Sequence, residues 1–395
     1  MNSSLSINPK KVLHIVLNPF THDSRVLKEA NSLSKAGYRV KVLAVQNERG
    51  NLPAYETQSG FEVQRIHLVT KKLPKLKPFQ FIKYIEYILQ ALIVLKNFNP
   101  CIVHCHDLDP LPIGIFSRKL VVYDTHEFQR GRNNLKNKYE ALITGSIESL
   151  LAKHVDAVIT INQEIANMLS EVLGRKTFFL FNADSKEQYS PNKSFESNYI
   201  SLREKLSLPG HKKIIVYAGG LTYGRGLTKL LESVAYLADE IVIVLIGYGD
   251  LECSLKRTVR KRGLSDRVFI LPPVSHNEVS HYIASSDLGL MPTENTSLSY
   301  KLGLGNKFFH YISAGIPLAV SNQPVKRALV EKYGLGIIID PEDSKGMAKE
   351  INSFLSNIEL QRKCRENVKK ALTELNWERE EKKLISLYSE LINKQ

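Results

Sequence analysis

The sequence predicts an α/β fold of two doubly wound domains, each a mainly parallel sheet with helices on both faces, facing a central cleft. Three observations support this. Short, continuous apolar runs alternate with helical patterns from end to end, as strands buried on both faces require. A length of 395 residues exceeds what one ordinary core organises. Midway, residues 182–211 turn polar and carry Pro191, Pro209 and Gly210, with one short helical pattern at 201–206, as a linker does.

The expected strands of the first half are the apolar runs 12–17, 40–45, 61–68, 101–105, 120–123, 157–161 and 177–181, with helical patterns at 24–36, 79–97 and 162–173 between them. Those of the second half are 213–218, 241–246, 268–271, 288–291, 318–320 and 336–339, again separated by helices, one of them at 306–314. The first domain then takes residues 1–190 and the second 191–377. The charged, periodic helix 378–395 has no strand after it and is expected to cross back onto the first domain.

Composition excludes several classes. With 43% apolar and 24% charged residues the chain is globular rather than disordered. The best uncharged apolar run, 87–95, is far shorter than the roughly 20 residues of a membrane-spanning helix. The first eleven residues lack the apolar core of a signal peptide, so a cytoplasmic location is expected. Four scattered cysteines, Cys101, Cys105, Cys253 and Cys364, fit reduced thiols. The run from Cys101 to Asp107 mixes cysteine and histidine, but strand alternation sends His104 and His106 to one face and Cys105 to the other. No metal site is expected there. A net charge of +14 points to an anionic partner. Aromatic residues do not alternate with the basic clusters, so nucleic acid is not expected.

Reactive side chains gather where strands should end. The loop from Gly303 to Gly305 leads into a helix starting at Asn306, with Lys307 and His310 in its first turns. Backbone N–H groups and a helix N-terminus suit an anion such as a diphosphate, though a tight α/β turn has the same sequence. Gly219, Gly220 and Gly224 follow the first strand of the second domain, and Arg225 offers a planar cation suited to phosphate oxygens. Gly247 ends the next strand. In the first domain His104, His106 and Asp107 close one strand, and Asp124, His126 and Glu127 the next. An imidazole there suits a leaving group's developing charge or an acceptor hydroxyl. Asp107 and Asp109 suit acceptor hydroxyls, or Asp109 with Pro110 simply opens a helix. His22, Asp23 and Arg25 share the first loop, where Asp23 serves equally well as a helix N-cap.

In order, the segments 23–30, 37–40, 217–227, 245–249, 286–292 and 306–317 resemble the two-Rossmann-domain (GT-B) glycosyltransferases, and within them the retaining family 4, glycosyl transferases group 1. The resemblance runs nearly end to end. It implies a nucleotide-sugar donor bound in the second domain by Gly219, Gly220, Arg225, Gly247, Gly303, Gly305, Asn306, Lys307 and His310. It implies His106 as the histidine that contacts donor sugar and phosphate, with Asp107 and Glu127 as the other catalytic candidates. It also implies a front-face, retaining displacement of hexosyltransferase type, with no metal and no cofactor beyond the nucleotide-sugar co-substrate. The acceptor would be a glycan or a lipid-linked molecule in cell-surface polysaccharide or glycolipid synthesis. Two departures stand out. One arginine of the family's diphosphate clamp is replaced by Gly220, leaving Lys301 or Lys307 to compensate. The two donor-site glutamates are replaced by Leu302 and His310, so the sugar side must rely on the N–H groups of residues 303–305. His310 either bonds the ribose or packs against a strand. A GT-B sugar-nucleotide epimerase and a non-catalytic polyanion- or membrane-binding protein are the alternatives.

The basic, apolar stretch carrying Lys71, Lys72, Lys75 and Lys77 leads into the helix 79–97, whose polar strip holds Lys83, Glu86 and Gln90. Lysines beside aromatic and aliphatic residues fit contact with an anionic membrane, hence a peripheral place on the inner face of the plasma membrane. The alternative is an ordinary helix with its lysines in water.

Overall fold

The structure is a computed structural model that describes residues 9–21, 23–47, 49–74, 76–132, 138–186, 201–274 and 276–394. His22 and Lys75 therefore lie outside the described residues. The chain forms two compact units, one of Met1–Phe181 with Glu380–Gln395 and one of Asn182–Arg379.

The first unit holds β1 (Lys11–Ile15), β2 (Arg39–Val45), β3 (Tyr55–Gln58), β4 (Phe61–Ile66), β5 (Ile102–His106), β6 (Leu120–Asp124), β7 (Ala157–Thr160) and β8 (Thr177–Phe179). They form one sheet in the order β3-β4-β2-β1-β5-β6-β7-β8. All pairs are parallel except β3 with β4. β3 is the strand that the sequence pattern did not announce. It is a polar edge strand, Tyr-Glu-Thr-Gln, joined to β4 by Ser59 and Gly60 at φ 48° and 89°. An edge strand half in water needs no apolar run. Two cores cover the sheet's faces, one centred on Val12, Val42 and Ile102 and the other on Leu13, Leu43 and Val103. Alternation thus sends Cys105 into the second core, while the His104 and His106 rings stack 4.3 Å apart on the opposite face.

The second unit holds β9 (Lys213–Ala218), β10 (Ile241–Ile246), β11 (Val268–Leu271), β12 (Leu288–Met291), β13 (Leu318–Ser321) and β14 (Gly336–Ile339). The order β11-β10-β9-β12-β13-β14 is parallel throughout. Its first strand, β9, lies between strands laid down in opposite directions, so the switch point at its carboxyl end is where such sheets bind ligands.

The first crossing falls at Phe181–Asn182, upstream of the expected 190. The reason is local bonding. The Asp184 carbonyl accepts from the Trp377 N–H at 2.9 Å, and Asn182 Nδ2 donates to Asn306 Oδ1 at 2.9 Å, both within the second unit. The chain returns inside the helix Trp377–Asn393, at Glu380. From there Leu384, Leu387, Tyr388 and Leu391 enter the first unit's core, and Glu380 Oε2 accepts from the Phe181 N–H at 3.0 Å. Leu384 is fully buried. Leu384→Ala should cost about 2–5 kcal/mol of the first unit's stability, read as a lower urea midpoint.

The helix Lys77–Phe98 corrects two expectations. At 22 residues it is, by length and composition, long and apolar enough to cross a membrane. It instead lies on the sheet, with Tyr87, Ala91, Val94, Leu95 and Phe98 buried. Its polar strip does not face open water. Glu86 accepts from the N–H groups of Val69 and Thr70 at 2.8 and 2.9 Å, Lys83 donates to Leu73 O and Gln90 to His67 O. The strip pins the loop before the helix. The face turned outward is apolar: Phe81, Ile85, Leu89 and Ile93, at the four-residue spacing of one helix side.

Candidate active site

In the second unit three cations meet at the carboxyl end of β9. Lys307 Nζ donates to the Tyr217 hydroxyl at 3.2 Å and sits 4.4 Å over that ring. The guanidinium of Arg225 stacks 4.6 Å over Tyr300. Lys326, 2% exposed on the helix Pro324–Tyr333, donates to the Tyr300 carbonyl at 3.3 Å and to Gln323 Oε1. Among the described residues no carboxylate pairs with any of the three, and Arg225 Nε is buried without a hydrogen-bond partner. Burial, then Arg225 and Lys326, hold the Lys307 ammonium well below the usual lysine range. Burial, then Arg225, bring Lys326 down to about 7. Unmatched buried cations are costly unless an anion joins them.

The glycines serve close packing more than N–H donation. A Cβ on Gly247 would lie 2.0 Å from the Gly219 carbonyl, and both glycines spend their N–H groups on the strand ladder. A Cβ on Gly219 would lie 2.8 Å from Lys307 Nζ, so this glycine leaves room for the lysine, whereas a Cβ on Gly220 would face Thr222. Gly220 supplies a carbonyl that accepts from the Tyr217 hydroxyl at 2.8 Å. The Gly303 N–H is taken by Ser299 O at 2.8 Å, which corrects its expected role facing the sugar. Gly305, at φ 71°, caps the helix Asn306–Ser313, where Asn306 accepts from Asn182. Leu302 is buried. His310 Nδ1 lies 2.6 Å from Asp184 Oδ2, so a carboxylate does reach this position, from the linker rather than from the helix. Lys301, expected as a possible substitute, is exposed and on a different helix, Leu298–Leu302.

In the first unit, β5 and β6 end in a second polar cluster. Arg25 is buried rather than in an open loop. Its Nε and Nη2 donate to both oxygens of Asp124 at 2.7 and 2.8 Å, and Nη1 donates to the Leu180 carbonyl. Burial pushes the Asp124 carboxyl up, but Arg25, His106 and His126 hold it well below the usual range. Asp124 is therefore a fixed counter-ion and not a base. His106 is 3% exposed, bonded through Nε2 to His14 at 2.9 Å and through Nδ1 to His126 at 3.1 Å. His126, more exposed, is opposed by burial but carried up to about 9 by Asp107 and Asp124. Asp107, at φ 68°, accepts from the His126 N–H and from Gln129 Nε2 at 3.1 and 3.2 Å. Glu127 is half-buried, 3.9 Å from Arg132 Nε. Asp23 caps the first helix by accepting from the Val26 N–H.

Three participants escaped the sequence reading. Lys326 looks like one more lysine on an amphipathic helix. Its only clue is a place in the first turn after a strand's carboxyl end. Asp184 sits in the linker with no motif. His14 left a faint signal, an imidazole inside an otherwise apolar strand.

Comparison with known proteins agrees with this geometry. The family profile described as glycosyl transferases group 1 matches residues 199–371, and that described as glycosyltransferase family 4 matches 24–178. An uncharacterized glycosyltransferase of Methanocaldococcus jannaschii is 21% identical over 91% of both chains. A putative teichuronic acid biosynthesis glycosyltransferase of Bacillus subtilis, TuaH, is 23% identical over 74% of this chain and 77% of its own. Sucrose-phosphate synthase from Thermosynechococcus elongatus superposes with a TM-score of 0.82 at 16% identity, covering 98% of this chain and 100% of that one. Anabaena HepE in complex with UDP-glucose gives 0.73 at 15% identity, over 96% and 99%. The chain belongs to the GT-B group 1 glycosyltransferases.

Lys326 makes stability depend on pH. Its folded value of about 7 lies below the unfolded lysine value of 10.5, so between these the unfolded chain binds more protons and stability rises with pH. Lys326→Met should flatten that rise in urea midpoints measured across the window. A slope identical to that of the unaltered chain would show that the lysine is not held neutral.

Proposed function

We propose that this glycosyltransferase moves a hexose, with retention of configuration, from a nucleoside-diphosphate donor to a glycan or lipid-linked acceptor in cell-surface polysaccharide or glycolipid synthesis. The observation that carries the proposal is the cluster of Arg225, Lys307 and Lys326 with no carboxylate among the described residues to balance it. A diphosphate is the anion that would match it, in charge and in its fit to a planar guanidinium. The cluster supplies the charge stabilisation that a metal would otherwise give the leaving diphosphate. The UDP-glucose held by the Anabaena neighbour supports a uridine nucleotide as the first donor to try. The teichuronic acid relative supports a polysaccharide acceptor. Asp184 and His310 would take the ribose in place of the usual glutamate. Asp107, Asp109, His126 and Glu127 are the acceptor-side groups open to solvent. Retention fits a site where Asp124 is locked to Arg25 and is no nucleophile.

The same reading places the protein in the cytoplasm, peripheral on an anionic membrane. Lys72 and Lys77 are exposed, whereas Lys71 is turned to the Gln46 carbonyl. The outward stripe of Phe81, Leu89 and Ile93, each more than half exposed, adds apolar area beside those lysines.

Calorimetry with UDP and UDP-glucose tests the donor site. Arg225→Ala and Lys307→Ala should each weaken binding about tenfold or more, the loss of a charged hydrogen bond. Binding equal to the unaltered chain in both would overturn the diphosphate assignment. Because the anion restores charge to Lys326, binding near pH 8 should take up protons, read from heats in buffers of different ionisation enthalpy. For the membrane, Phe81→Asp with Leu89→Asp should abolish cosedimentation with anionic vesicles, and undiminished pelleting would remove that surface from consideration.

A further inference from the structure

Inside the first unit, three rigid elements bring hydrogen-bond acceptors together with no donor to meet them. β1 and β5 pair in a register that sets His14 directly beside His104, and His106 follows on the same face. Glu29 reaches the same point from the helix Ser24–Lys35. One ligand atom from each of these four residues lies within 4.8 Å of the other three. None of the four residues is more than 3% exposed.

The surrounding bonds decide which atoms are left over. His106 Nδ1 faces Asp124 Oδ2 at 3.4 Å and His126 Nε2 at 3.1 Å. His14 Nδ1 and His106 Nε2 share one hydrogen at 2.9 Å; carried on His14 Nδ1, it leaves His14 a lone pair on Nε2. With His104 Nδ1 as the donor of its 2.7 Å bond to the Tyr388 hydroxyl, a lone pair is left on His104 Nε2 as well. That nitrogen sits 3.7 Å from Glu29 Oε2, too far for a hydrogen bond between them. His14 Nε2, His104 Nε2 and both oxygens of Glu29 are all buried without a hydrogen-bond partner. Arg25 Nε is 3.1 Å from Glu29 Oε1 but is aimed at Asp124. Two carboxyl groups, Glu29 and Asp124, thus face one guanidinium, and burial, then Asp124, push the Glu29 group up to about 8.

We propose that His14, His104 and Glu29 form a buried binding site for a divalent transition-metal ion of the zinc type. Two imidazole nitrogens and a carboxylate are a donor set that zinc takes readily. Metal–ligand bonds of about 2.1 Å put tetrahedral ligands about 3.4 Å apart, so the site closes by side-chain rotation around fixed strands. Tyr388 is the outer partner that orients His104, as carboxylates and carbonyls do for metal-bound histidines. The ion would tie β1, β5 and the first helix together beneath the Arg25–Asp124 pair. The rival occupant is a buried water, which satisfies acceptors in the same way.

The test uses the untagged full chain, stripped with a chelator and dialysed against zinc. Bound metal is counted by mass spectrometry, and cobalt(II) absorption reports its geometry. About one ion per chain, with a raised melting temperature and a tetrahedral cobalt spectrum, is expected. Glu29→Gln keeps the side chain's shape and should lose the ion. Tyr388→Phe should weaken affinity about 10–100-fold while circular dichroism confirms the fold. A folded chain that retains no metal would overturn the site in favour of water. Stoichiometric metal undiminished in both variants would place the ion elsewhere and overturn it equally.

Discussion

The ion pair between Arg25 and Asp124 is the constraint on which the first unit depends. Both groups are buried and the contact uses both carboxylate oxygens. Such a pair adds little net stability over an apolar substitute, yet losing either partner strands a charge and costs about 3–5 kcal/mol. It fixes the first helix against β6 and sets the Asp124 carboxylate 3.4 Å from His106 Nδ1 and 3.3 Å from His126 Nε2. The whole histidine row inherits its orientation from this contact.

The second unit handles buried charge in the opposite way. Arg225, Lys307 and Lys326 are gathered on two tyrosines, Tyr217 and Tyr300, and left without an acidic partner among the described residues. Aromatic faces attract a cation weakly, by about 0.5–2 kcal/mol, so they orient it without discharging it. Stability is given up in the empty state, and binding of an anion recovers it. The first unit pairs Arg25 with Asp124 internally, while the second leaves its cluster without an acidic partner among the described residues and so reads as an anion site.

The helix Lys77–Phe98 shows how misleading amphipathicity can be when each side chain's partner is unknown. Its polar strip is consumed by backbone groups of the preceding loop, and the apolar side left over faces out. A sequence pattern reports which residues share a side. It does not report which side meets the core.

Much of the fold was readable in the chain. Parallel strands buried on both faces must be apolar throughout, so thirteen of the fourteen strands announced themselves. The polar edge strand Tyr55–Gln58, free of that demand, did not. A cap such as Asp23 acts over three residues and could be placed from sequence. The candidate site was readable only where a motif is local: Arg225 in its loop, Lys307 and His310 in their helix. The sequence by itself determined the alternation of elements and the loops at the strand ends, because burial and capping operate between near neighbours. Only the tertiary structure decided that Asp184 meets His310, that Lys326 joins Arg225, and that Glu29 and His14 converge on His104. Those pairings depend on sheet register and helix docking, which bring together residues from about 75 to 126 positions apart and leave no local trace.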